Sequence, residues 1–206
     1  MSGTYQVDTP RLRLRQWRDN DLESFIALNA DCRVMEHFPG TLSGRESAEL
    51  MARLRGNIIE RGWGFFAVDV KPFMRFIGFT GLNVFSGLPV QSAPLPIGIE
   101  GDGVEIGWRL LPRFWGRGFA SEAAMAALYL GFRELGLSEI VAFTSLTNSQ
   151  SMAVMQRIGM QDTGKNFRHP KLEPDSRLSE HVLYRITATE FDPGEKAEPR
   201  IALTVS

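Results

Sequence analysis

Val104-Glu105-Ile106-Gly107-Trp108-Arg109-Leu110, followed five residues later by Trp115-Gly116-Arg117-Gly118-Phe119-Ala120, is the segment around which the chain organises. The first run reads as a β-strand. After the second comes a helical pattern, with Ala124, Leu128, Phe132 and Leu135 on one stripe and a stop at Gly136. Glycines at 116 and 118 and an alanine at 120 let backbone approach a ligand closely. A strand-to-helix turn of this kind leaves the first N–H groups of the helix unpaired, with the positive end of the helix dipole behind them. Arg117 adds a cation at the same place. Backbone donors and charge together point to a bound pyrophosphate.

The 206-residue chain is long enough for one domain with a core, and nothing in it reads as a linker. Residues 1–189 are assigned to that domain and 190–206 to a C-terminal tail, although Ile201 to Val205 could add a strand. A hydrophobic content of 43% and a charged content of 23% describe a globular chain, neither disordered nor membrane-embedded. The net charge of -1 offers no general attraction to nucleic acid. Arg11, Arg13, Arg15 and Arg18 form a local basic cluster, but Leu12 and Leu14 interleave with it, so the arginines read as the wet face of a half-buried strand. The single cysteine, Cys32, excludes an internal disulfide and reads as a packed side chain. His37, His169 and His181 are too scattered for a zinc helix motif, so no catalytic metal is expected. No signal-peptide core follows the polar first nine residues, and no apolar run reaches the ~20 residues needed to span a bilayer. A cytoplasmic protein without membrane partners is expected.

Arg11 to Gln16 reads as a strand, and Asp19 or Asn20 caps a helix with Leu22, Phe25, Ile26 and Leu28 on one side. A second helix starts at Ser43 or Gly44 and stops at Gly62. Trp63 to Val70 and Phe76 to Val84 read as a hairpin. Ser86 to Gly103, with three prolines, reads as a loop, either a substrate lid or a plain surface insertion. Glu139 to Thr144 is a strand and Ser149 to Ile158 a helix. Met160 to Phe167 and Glu180 to Ile186 read as the last strands, with Tyr184 and His181 in the core.

In this order the pieces resemble the GNAT superfamily of acyl-CoA N-acyltransferases, in particular the branch that acetylates ribosomal-protein N-termini. The resemblance covers about residues 9–187 and rests on Val104 to Leu110, Trp115 to Ala120, Asn148-Ser149-Gln150-Ser151 and Arg157-Ile158-Gly159-Met160. The superfamily loop Q/R-x-x-G-x-G/A fits with Gly118 and Ala120 at the small positions, and Trp115 departs at the first. The resemblance implies an α+β fold: a mixed, mostly antiparallel sheet flanked by helices and splayed between its fourth and fifth strands, here Val104–Leu110 and Glu139–Thr144. It also implies acetyl-CoA as acyl donor. Pantetheine would pair with the backbone of Trp108, Arg109 and Leu110, and residues Gly116, Arg117, Gly118, Phe119, Ala120 and Ser121, beside Trp115, would hold the phosphates. Asn148 would contact the pantetheine arm, and the Ser151 hydroxyl could protonate the departing thiolate. A helix cap and its first turn would equally account for Asn148 and Ser151.

An amine acceptor must lose a proton before attack, since lysine-type amines have a pKa of roughly 10.4 and α-amines roughly 7.7 to 8.0. A general base near the thioester is therefore needed, and Glu105 is the candidate. Its alternative is a carboxylate merely satisfied by a neighbour. His169, between the last two strands, could act as base or bind an acceptor carboxylate, or be an ordinary loop histidine. A backbone N–H near Leu110 would meet the oxyanion. The expected partners are acetyl-CoA and an amine, either a peptide N-terminus or a small molecule, and a homodimer through the tail is open. Two other functions compete. Gly116-x-Gly118 with Glu139 could belong to a dinucleotide-binding oxidoreductase, but the glycines do not follow a first strand and Glu139 begins a strand where the acid should end one. An acyl-CoA-binding module without transferase activity is the other.

Overall fold

A computed structural model describes residues 3–96, 99–193 and 198–204. The elements are β1 (Thr4–Asp8), β2 (Leu12–Arg15), α1 (Leu22–Ala30), α2 (Gly44–Arg61), β3 (Phe65–Val70), β4 (Arg75–Phe85), β5 (Gly103–Leu110), α3 (Phe119–Tyr129), β6 (Glu139–Ser145), α4 (Ser149–Arg157), β7 (Gln161–Asp162), β8 (Phe167–Arg168), β9 (Glu180–Thr187) and β10 (Arg200–Thr204). Local chemistry explains several boundaries. Ser43 Oγ accepts from Glu46 N–H while the Glu46 carboxylate accepts from Ser43 N–H, a reciprocal cap that starts α2. Gly62, at φ 80°, ends it in the left-handed conformation. α3 continues into a π-type turn, Leu130–Glu134, where buried Gly131 lets Leu82 and Ile140 approach.

The strands form one sheet in the order β10-β1-β2-β3-β4-β5-β6-β9-β7, with β8 also paired to β9. Every pairing is antiparallel except β5 with β6, which is parallel and held by the single register pair Glu105↔Val141. Beyond that pair the two strands part, so the sheet is mixed and open between them. Side chains alternate across it. Phe79 on β4 stacks against Phe25 of α1 and Trp17, whereas Leu82 packs toward the α3 side against Gly131. α1 and α2 thus cover one face, and α3 with α4 the other.

Four expectations change. The polar first residues contain β1, which pairs with β2 and β10; only Val7 of β1 is buried, which is why the pattern was weak. The splay therefore falls between the fifth and sixth strands in chain order. Residues 200–204 lie in the sheet as β10 against β1, while Val205 lies outside the described residues. Arg15 does not belong to a wet face. It is 4% exposed, and its guanidinium is saturated by Asp21 and Asp69 at 2.6–2.8 Å. Tertiary packing covers the polar side of β2 and supplies carboxylates there, which strand alternation alone cannot anticipate. Cys32 is exposed rather than packed, because it lies in the turn after α1. Among the described residues no helix is long and apolar enough to cross a membrane.

Candidate active site

The opening between β5 and β6 is bordered by three pieces: the end of β5, the turn into α3, and the start of α4. Leu111 N–H donates to Ile77 C=O, and this phase of the antiparallel ladder turns the backbone groups of Arg109 toward Phe79 of β4. Trp108 and Leu110, the alternate residues, turn theirs to the gap. The Leu110 carbonyl is taken by the Trp115 indole N–H at 2.7 Å, which ties the turn to the strand end. Of the three residues expected to present backbone to a ligand, Trp108 and Leu110 turn backbone groups to the gap and Arg109 does not.

Gly116 and Gly118 have φ of 72° and 75°, a conformation that favours glycine. A Cβ on Gly116 would meet nothing within 4 Å, so the turn is an open cradle. Glu122 N–H is the first amide of α3 bonded to a backbone carbonyl, at Gly118, and among the described residues the amides of 116–121 donate to none. Arg117 is exposed beside them, Phe119 is buried, and Ala120 and Ser121 are half-buried in the first turn. Arg11 braces this turn. Its guanidinium pairs with Glu122, donates to the Arg117 carbonyl at 3.0 Å and lies 4.7 Å over the Phe119 ring. Sequence reasoning placed Arg11 on a solvated strand face, and no local signal connects it with residues more than 100 positions away.

Asn148 is the N-cap of α4: its Oδ1 accepts from Ser151 N–H at 3.1 Å, and its Nδ2 donates to Thr144 at 2.9 Å. The capping arrangement is thus present. The Ser151 side chain, half-buried in the first turn, makes no hydrogen bond among the described residues and is free to face the gap.

Glu105, Gly107 and Arg109 lie on the α1 face. Asn83, opposite Glu105, donates to its Oε1 at 2.9 Å. Burial pushes the Glu105 carboxyl up to about 7, against the opposing pull of the Asn83 hydrogen bond and the Lys171 charge. The carboxyl therefore changes protonation near neutrality. Arg109 stands four residues on, with Nη1 donating to Asn29 Oδ1 at 2.7 Å and the guanidinium 4.1 Å from the Phe38 ring and 5.3 Å from Phe79.

His169 is half-buried near the β6 end of the same face, 5.1 Å from the His181 ring and beside Phe143 and Phe167. Its Nδ1 accepts from Lys171 N–H at 3.3 Å, which leaves Nε2 to carry any outward hydrogen bond. Burial and the nearby lysine lower its pKa, so the ring is neutral at pH 7. His181 and Tyr184 are buried in β9. His37 was not expected near the gap, yet it contacts Thr147 and Ser145 at the end of β6. The described residues of the 86–102 segment, 86–96 and 99–102, form no helix or strand. The segment packs Val90 against Val141 and Phe167, and Ser92 and Ala93 donate to Glu139. That engagement of Glu139, in a sheet with one parallel pair, leaves no dinucleotide-binding βαβ unit. Among the described residues no cluster of metal-ligating side chains occurs.

A mixed sheet parted between two parallel neighbours, with unpaired helix-start amides at the mouth of the gap, defines the fold of an N-acetyltransferase. The chain belongs to the acetyltransferase (GNAT) domain family, whose model matches residues 11–161. It is 33% identical over 129 residues to the FsC-acetyl coenzyme A-N(2)-transacetylase of Aspergillus fumigatus, covering 61% of this chain and 54% of that protein. The chain thus spans about half the length of that curated relative. Among solved structures, an acetyltransferase (GNAT family) from Bacillus anthracis superposes with a TM-score of 0.72 at 23% identity, covering 90% of this chain and 99% of that one. Mycobacterium smegmatis RimJ in complex with CoA-disulfide superposes at 0.67 with 19% identity, over 92% and 88% of the two chains. The family takes acetyl-CoA and an amine acceptor.

Proposed function

We propose that this protein is a cytoplasmic enzyme that transfers an acetyl group from acetyl-CoA directly to a primary amine within a ternary complex, in the branch of the family that acetylates N-termini. The observation that carries the reading is the run of amides from Gly116 to Ser121 with no backbone partner, at the mouth of the gap between β5 and β6. Those donors, with exposed Arg117, suit a diphosphate. Trp108 offers its backbone groups to the pantetheine amides as an added strand would. When bound, acetyl-CoA supplies a thioester carbonyl open to attack.

The chain's own groups divide the remaining work. Glu105, with a pKa of about 7, is half ionised at neutral pH and accepts the proton that the amine must release, directly or through water. Leu110 N–H faces the gap and meets the developing oxyanion. The Ser151 hydroxyl, without a hydrogen-bond partner among the described residues, donates a proton to the departing sulfur. His169, neutral and set on the same face, contributes its Nε2 to acceptor binding or proton removal. No covalent enzyme intermediate is needed. The acceptor is a peptide N-terminus or a small-molecule amine.

Calorimetric titration with acetyl-CoA, followed by thiol release across an amine panel, tests this. Binding followed by intersecting initial-rate lines is the expected result. Absence of binding overturns the assignment. Tight binding with no thiol release from any amine leaves an acyl-CoA-binding module instead.

A further inference from the structure

Two arginines of this protein have guanidinium nitrogens held away from water, Arg15 as a buried residue and Arg109 as a half-buried one with its Nε enclosed, and they are treated in opposite ways. Arg15 has two carboxylates and a carbonyl on its guanidinium. Arg109 has one amide oxygen, from Asn29. Its Nε is a buried donor without a partner, and among the described residues no carboxylate lies within 4.0 Å of it. Burial with no compensating acid pulls the Arg109 pKa down to about 10. An unpaired buried guanidinium is costly, and chains rarely keep one without a use for it.

The unused donors have a particular shape. Nη1 is engaged by Asn29, Nε is shut off from solvent, and among the described residues Nη2 makes no hydrogen bond, which leaves Nη2 as the donor that a carboxylate oxygen can reach. Phe79 and Phe38 lie against the guanidinium, which leaves its Nη2 end as the direction open to a ligand. Phe38 is 39% exposed, which puts this end at the border between interior and solvent.

The surroundings fit an anion as well. Arg109 and Glu105 share one face of β5, about 14 Å apart at their Cα atoms from the rise of a strand. Between them Gly107 is covered by the Phe65 ring, so the floor is aromatic. The other groups turned toward this face are Lys171, whose charge reaches Glu105, Arg177, which donates to the Glu36 carbonyl at 2.9 Å, and three histidines whose pKa values are all lowered. Glu105 is the carboxylate on the floor.

We infer that Arg109 binds a carboxylate of the acceptor, so that the substrate class is an amine that also carries a carboxylate far enough from the reacting nitrogen to reach from the Glu105 end of this face to the Arg109 end. This rests on the transferase reading above and specifies its acceptor. The amine lies at the Glu105 end, the carboxylate takes Nη2 of Arg109, and the carbon chain crosses the Phe65 ring. Arg109 acts here as a specificity residue and takes no part in proton transfer.

The experiment compares matched amines in this protein with saturating acetyl-CoA: long ω-amino acids and short peptides against their C-terminal amides, with a diamine and a neutral peptide N-terminus alongside. Thiol release gives kcat and KM for each. The expected result is a kcat/KM at least about tenfold higher for the carboxylate of each pair, carried by KM. In Arg109→Met this preference falls to near unity, and in Arg109→Lys it is partly retained. A structural strut would instead lower activity on all amines alike together with Tm, so thermal melts accompany each variant. The wild-type comparison needs no variant to fold. Equal rates for carboxylate and amide, a preference that survives in Arg109→Met, or best activity on the diamine overturns the inference while leaving acetyl transfer intact. Failure of every amine to release thiol, by contrast, defeats the transferase reading, and this inference falls with it.

Discussion

The turn from Gly116 to Ser121 and the β5 face from Glu105 to Arg109 border the same gap, yet they are made from different parts of the polypeptide. The turn offers backbone amides, and its shape comes from two glycines in the left-handed region and the start of one helix. The face offers side chains brought from β4, β5, α1, the loop after α1 and the segment after β8. A backbone site tolerates most replacements outside its glycines. A site of side chains is rewritten by one substitution, which is the physical reason that the donor half of such an enzyme is generic and the acceptor half particular.

That contrast can be broken by experiment. Glu105→Gln removes the carboxylate proposed as base and leaves the turn untouched, so kcat/KM at pH 8 is expected to drop about 10²- to 10³-fold while calorimetry shows acetyl-CoA affinity intact. Comparable loss of affinity would mean that the two halves are not separate. Gly118→Val acts in reverse. A β-branched residue is strained at φ 75°, and its side chain would crowd the Arg11 guanidinium, so acetyl-CoA affinity is expected to weaken about tenfold or more.

Arg11→Met sharpens the picture by removing the brace without altering the turn's own residues. Arg11 is half exposed, so the loss is expected to be about 0.5–1 kcal/mol, or two- to fivefold in affinity for acetyl-CoA. The smallest effects concern pH. With a pKa of about 7 for Glu105, kcat/KM rises with pH and levels off above that value. Stability runs the other way. The folded-state pKa lies above the unfolded one of about 4.3, so between them the native protein holds a proton that the unfolded chain has lost. Above about pH 7 the ionised carboxylate costs stability that glutamine avoids, and Glu105→Gln is expected to melt a few degrees higher than wild type at pH 8.5. At pH 4, where both states are protonated, the gap closes. A constant difference across pH would show that Glu105 titrates normally.

Elements whose limits depend on neighbouring residues were readable in the chain. Ser43 with Glu46 starts α2 and Gly62 stops it; Gly136 closes the helical segment after the turn; Asn148 caps α4. Elements defined by what covers them were not. β1 buries Val7 alone, and its place follows from β2 and β10 on either side. The site divides along the same line. Gly116 and Gly118 were legible because a positive φ nearly requires glycine. Glu105 was legible as a candidate by its strand position, but its raised pKa follows from burial. Arg11 and His37 were missed because their partners lie 105 or more positions away in the chain.

The order of residues alone therefore determined the strand, glycine turn and helix that present amides to the gap, since φ preferences, caps and hydrophobic period act within a few residues. Only the folded sheet decided that β5 and β6 part after one pair, that Arg15 is neutralised by two aspartates, and that Arg109 is half-buried with no carboxylate beside it among the described residues. Burial and charge compensation depend on groups far apart in the chain, and no local pattern encodes which of two similar arginines will find its acid.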